Sequence, residues 1–77
     1  MEPTPEFCNE IRNVWGNPYR VADVAFGELF DHSDDICLDY DDQVRYAKKI
    51  GVLAGLMKDG SPEGFVKAFT SQVLNDE

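Results

Sequence analysis

The side chains in this chain best equipped for chemistry are carboxylates, and they are crowded together. Asp31, Asp34, Asp35, Asp39, Asp41 and Asp42 fall within twelve residues, and Asp23 and Glu28 precede them. From Val21 to Val44 there are eight acids and neither Lys nor Arg. Oxygen-bearing side chains at Asp31, Ser33, Asp35, Asp39 and Asp42 occupy positions 1, 3, 5, 9 and 12 of a twelve-residue stretch, an alternation that suits a hard cation such as calcium. The same crowding also makes a negative face, which steers encounter with a basic surface. His32, the one histidine, stands among these acids. With Asp31 and Asp34 it falls short of the converging ligand set a transition metal needs, and adjacency to Ser33 does not create a proton relay.

Three resemblances bear on the acidic stretch and its surroundings. Asp31 to Asp42, with Leu38 as an apolar residue at position 8, resembles an EF-hand calcium loop. Ile36 stands where that loop turns on Gly, and Asp42 where it uses the longer Glu. Calcium binding is therefore the lowest of the functional readings. Val21-Ala22-Asp23-Val24-Ala25-Phe26, followed by Phe30 and Ser33, resembles the first helix of a helix-turn-helix. The helix after it would have to enter a DNA groove lined with Asp34, Asp35, Asp39, Asp41 and Asp42. Charge excludes that. Gly60-Ser61-Pro62-Glu63-Gly64-Phe65-Val66-Lys67 resembles the helix start of the colicin immunity proteins, which are small, acidic, four-helical inhibitors of a basic nuclease. The match covers eight of 77 residues, and the tyrosine-bearing segment those proteins bind with is absent. No site residue carries over, and helix-start chemistry accounts for the octet.

Composition narrows the classes further. The 77 residues carry seven Lys+Arg against fifteen Asp+Glu, a net charge of −8. Outside Val21–Val44 acids and bases balance at seven each, so the excess is local. A hydrophobic fraction of 43% with 12% aromatic points to a folded core rather than a disordered acidic tail. Nothing orders the glycines into a phosphate loop. Glu63 and the Asp41-Asp42 pair have no defined pocket, so catalysis and a bound cofactor are not expected. Met1 to Glu6 is acidic and proline-containing, and the apolar run Ile50–Met57 is too short to span a bilayer. The expected location is the cytoplasm, with Cys8 and Cys37 as thiols there.

The elements that must position these acids are legible from helix end signals. Thr4-Pro5-Glu6, Asn17-Pro18 and Ser61-Pro62-Glu63 each place a capping residue before a proline, twice with an acid next. Asp39 caps a further helix, with Asp41 and Asp42 in its first turn. The spacing predicts helices near 5–15, 18–31, 40–58 and 62–75, in one all-α four-helix bundle spanning 1–77. Phe7, Trp15, Phe26, Phe30, Phe65 and Phe69 are expected mostly in its core, because so small a bundle needs every large side chain it has. Residues 50–57 are apolar nearly all round, which fits a central buried helix and equally a helix shared between the core and a dimer interface.

Ala47, Gly51 and Gly55 line up four apart on that third helix, a flat strip where another backbone could approach. Two function classes follow. The first is a non-catalytic inhibitor or adaptor whose Asp31, Asp34, Asp35, Asp39, Asp41 and Asp42, with Tyr40 as an aromatic anchor, dock on a basic protein. If that basic surface normally holds nucleic acid, the acids mimic a phosphate backbone. Small acidic inhibitors from viruses and mobile elements are similar in size and charge. The alternative is a homodimeric accessory subunit joined through Ala47, Gly51 and Gly55. Arg45, Lys48 and Lys49 follow the acids directly and are placed to neutralise them at i,i+4 spacing, as in an Asp41–Arg45 pair.

Overall fold

The computed structural model describes residues 2–32 and 39–75. Four α-helices make it up: α1 Pro5–Val14, α2 Pro18–Asp31, α3 Tyr40–Leu56 and α4 Pro62–Phe69, the last running on into a wider turn over Thr70–Leu74. There is no strand among the described residues. The proline-marked starts are where the sequence puts them. Asn17 accepts from the Arg20 amide, Asp39 from the Asp42 amide and Ser61 from the Gly64 amide. These bonds satisfy donors that the first helical turn leaves without an intrahelical partner. Gly16 closes α1 with φ at 101°, a left-handed conformation that a side chain would strain.

Thr4 departs from the pattern. It sits at the α1 N-cap position but makes no side-chain cap bond. Its amide and hydroxyl reach instead to Glu28 on α2.

Each helix packs on its sequence neighbour, and α4 closes back on α1. The radius of gyration is 11.3 Å, against about 11.5 Å for a well-packed chain of this length. Phe7 and Ile11 of α1 meet Val21, Ala25 and Leu29 of α2, Tyr46, Ile50, Leu53 and Ala54 of α3, and Phe65, Phe69, Val73 and Leu74 from the C-terminal end. Phe7 and Phe69 have ring centroids 5.0 Å apart, and Phe65 bridges from Phe69 to Trp15. A surface ion pair adds to the α1–α4 contact: Arg12 meets Glu63 Oε1 at 2.7 Å.

The C-terminal segment is helical as expected, but it is not α-helical throughout. After Phe69 the turn widens, and the Asn75 amide donates to the Thr70 carbonyl five residues back. The Thr70 hydroxyl bonds the Val66 carbonyl at 2.8 Å, offering that acceptor a partner outside the regular ladder. The widened turn holds both Val73 and Leu74 in the core.

Three packing expectations are corrected. Phe30 is half exposed, stacked on the partly buried Phe26 outside the core. The core has Tyr46 in its place, a residue whose ring is covered by the Arg45 guanidinium 4.9 Å from its centroid. Nor is α3 buried all round. Tyr46, Ile50, Leu53 and Ala54 turn inward, whereas Gly51, Val52, Gly55 and Leu56 face outward. A helix flanked by α2 on one side and the α4 end on the other has only one face to bury. Finally, Arg45 pairs with Asp42 at 3.4 Å rather than with Asp41. No helix among the described residues is long and apolar enough to cross a membrane.

Leu29→Ala, which empties a core position, is expected to cost about 2–5 kcal/mol of stability in urea unfolding. Phe30→Ala on the neighbouring residue is expected to cost about 1 kcal/mol or less. Equal losses at the two sites would contradict this assignment of inner and outer faces.

Candidate functional site: an acid-lined groove between the first two helices

The antiparallel approach of α1 and α2 leaves a groove of about 570 Å³ between them. Its walls carry Glu6 and Glu10 from α1 and Asp23, Glu28 and Asp31 from α2. No Lys or Arg lines it. The arrangement follows from helical spacing. Glu6 and Glu10 are four apart on one face of α1, and Asp23, Gly27 and Asp31 repeat every four residues on α2. Gly27 has nothing within 4 Å of where a Cβ would lie, so the α2 wall is open at that point.

Glu28 is the one buried charged residue among those described, at 4% exposure. A carboxylate out of water must be hydrogen-bonded, and each of its oxygens is. Oε1 accepts from the Thr4 hydroxyl at 2.9 Å, and Oε2 accepts from the Thr4 amide. Oε2 also lies 3.3 Å from His32 Nε2. His32 occupies the C-cap of α2 with only 14% of its side chain exposed. It is therefore not an isolated surface histidine but the partner of the acid one turn before it. The Glu28 carboxylate ties the chain entering α1 to the middle of α2 and so fixes the groove's width at that end.

Of the residues expected to bind a partner, Asp31 lies in this groove. Asp39, Tyr40 and Asp41 are exposed at the start of α3, with Tyr40 77% exposed and Asp42 half buried beside them. They form a second acidic surface, at a helix N-terminus, and contribute nothing to the groove lining. Asp34 and Asp35 lie outside the described residues, as do Ser33, Ile36, Cys37 and Leu38, so the calcium-loop reading falls on a segment about which no geometry is stated. Among the described residues no group of three or more His, Cys, Asp or Glu is placed to hold a metal ion. As site residues Glu10 and Glu6, the latter legible only as a helix-start acid, escaped the sequence reading. The available signal was their four-residue spacing, but their distance from the acidic window hid it.

Other features complete the surface. Ala47 is half buried, and Gly51 and Gly55 are exposed with open space above both. Gly51 and Gly55, with Tyr19 and Ala22 of α2, line a groove of about 330 Å³. Cys8 is a half-buried free thiol. The Glu63 carboxyl is held below the usual carboxylate range, first by a backbone hydrogen bond and then by Arg12, and so further from the near-neutral range that proton transfer favours. Comparison with known proteins found no matching family model, no matching curated protein and no matching solved structure.

Glu28→Ala strands the Thr4 amide and is expected to cost about 1–3 kcal/mol. Hydrogen exchange gives the sharper readout. The Thr4 amide should be protected in the parent chain and exchange at the rate of a free peptide in Glu28→Ala. Unprotected Thr4 in the parent would remove the clasp.

Proposed function

We propose that this chain is a non-catalytic protein-binding module, a small inhibitor or adaptor that places its acidic surface on a basic surface of a partner protein in the cytoplasm. The observation that carries the reading is the α1–α2 groove, lined by five carboxylates, four of them exposed, with no Lys or Arg among the described lining residues. Holding like charges together works against the compact state. Of the exposed acids of the groove, Glu6 suits the dipole at the start of α1, and Glu10, Asp23 and Asp31 lie outside any first helical turn. A surface so arranged gains when a partner supplies cations, because complementary potentials speed encounter and select against wrong partners.

The acids at the start of α3 extend the negative surface, and Tyr40 there gives it an exposed aromatic side chain. Tyrosine combines large contact area with a polar tip and is favoured where binding energy concentrates. A basic surface that ordinarily holds a nucleic-acid backbone is the best complement, since it is built to accept closely spaced negative charge. On this reading the chain occupies that surface and competes with the nucleic acid.

The test is a pull-down from host lysate at low and high salt, comparing the parent chain with Glu10→Lys/Asp23→Lys/Asp31→Lys. The parent should recover a basic, nucleic-acid-handling protein that salt releases. The triple variant should lose it, by about a hundredfold in affinity, while keeping its helical circular dichroism. A partner retained equally by the triple variant would refute the acidic-docking reading.

One observation favours a second reading, a homodimeric accessory subunit. Gly51 and Gly55 are exposed and uncrowded next to Tyr19, which is 85% exposed. Two α3 helices could approach closely there. Sedimentation should then give a dimer for the parent chain and a monomer for Gly51→Leu. A parent monomer, or a Gly51→Leu dimer, would eliminate this reading.

A further inference from the structure

The bases of this acidic chain are not scattered. Three of the seven, Arg45, Lys48 and Lys49, fall within five residues of α3. They line a groove of about 420 Å³ with Val52, Leu53 and Leu56, closed on its far side by Gln72 of the C-terminal turn. No acid is among the described residues that line it, and it shares none of them with the α1–α2 groove. Val52 is 58% exposed and Leu56 77% exposed, on the outer face of a helix whose inner face is already filled. Two of the bases are held in place. Arg45 is drawn to Asp42 and to the Tyr46 hydroxyl. Lys49 donates to the Gln72 carbonyl at 3.2 Å and lies 5.9 Å from the Tyr46 ring centroid.

We propose that this groove is a second docking surface, separate from the acidic one, and that it takes an acidic amphipathic helix of another protein. The occupant follows from the order of residues along α3. Bases occupy one end of the groove and large apolar side chains the other, about 10 Å further along the helix at 1.5 Å per residue. A partner helix lying along α3 therefore needs two large apolar residues a turn apart, to cover Val52 and Leu56. It also needs carboxylates two turns away, to meet Arg45, Lys48 and Lys49. A helix set into a groove by apolar residues at i and i+4, oriented by charge at one end, is a recurring mode of recognition.

A second copy of this chain fits less well. A twofold pairing of this face would gather the bases of both copies in one interface with no carboxylate in the lining to offset them. Asp42, 3.4 Å from Arg45, lies within the about 8 Å over which physiological salt leaves charges unscreened, and it offsets part of the cluster's charge.

The experiment uses a fluorescein-labelled helical peptide as long as α3, 17 residues. It carries Glu in one half and two Leu at i and i+4 in the other, and its twin carries Lys in place of every Glu. Fluorescence anisotropy with the whole chain at physiological salt should show the acidic peptide binding at least about tenfold more tightly than its twin. Leu56→Asp should weaken the acidic peptide by about tenfold, with circular dichroism unchanged because Leu56 is on the surface. Arg45→Glu/Lys48→Glu should reverse the preference between the two peptides.

Equal binding of both peptides, no binding of either, or indifference to Leu56→Asp would overturn the proposal. So would a parent chain that sediments as a dimer and becomes a monomer in Leu56→Asp, which would make a second copy the occupant. The acidic-surface reading is tested by other variants and stands or falls separately.

Discussion

The contact between Phe7 and Phe69 joins the first helix to the last, with ring centroids 5.0 Å apart and most of the chain between them in sequence. Everything else about this fold is arranged around that closure. Phe65 and Phe69 lie on one stripe of α4, and α1 turns Phe7 and Ile11 towards them. The ring of helices is then completed by α2 and α3, each contributing a narrow apolar stripe. In so short a chain the core can hold only one stripe from each helix. The outer faces are left over, and all the described charged side chains but Glu28 lie on them, exposed or half buried.

Those faces differ in charge. Carboxylates line the cleft between α1 and α2, and others stand at the beginning of α3 where they suit the helix dipole. The middle of α3 carries a basic cluster beside exposed Val52 and Leu56. Helix periodicity does the sorting: apart from Glu28, the residues that share an inward stripe are apolar, and the other charges fall on the remaining stripes. Neighbouring helices then juxtapose stripes that are far apart in sequence. In this way Glu6 and Glu10 come to face Asp23 and Asp31.

Glu28 shows how a charge can serve the fold instead. By burial and by hydrogen bonding to Thr4 and His32 it behaves as a tether, though in sequence it looks like another member of the acidic run. Its neighbours in the groove are exposed. The difference between a structural acid and a surface acid in the same helix lies wholly in what the opposite helix brings near it. Thr4 is the counterpart: a residue typed as a helix cap that spends its hydrogen bonds across the groove.

Local chemistry written along the chain was enough to establish the helices. Proline after a capping residue fixes where a helix can begin, Gly16 can take the left-handed turn that ends one, and an apolar repeat every three or four residues selects the inward stripe. These are short-range properties, so the all-α bundle and three of its four caps were legible without coordinates. Which aromatic entered the core was not, because Phe30 and Tyr46 differ in partners rather than in type. The same holds for the site. The window from Asp31 to Asp42 announced negative charge, yet of its described residues the cleft takes only Asp31, and it draws Glu6 and Glu10 from another helix. Packing angle and separation between helices arise from the fit of whole side-chain surfaces, and that fit is a property of the folded chain alone.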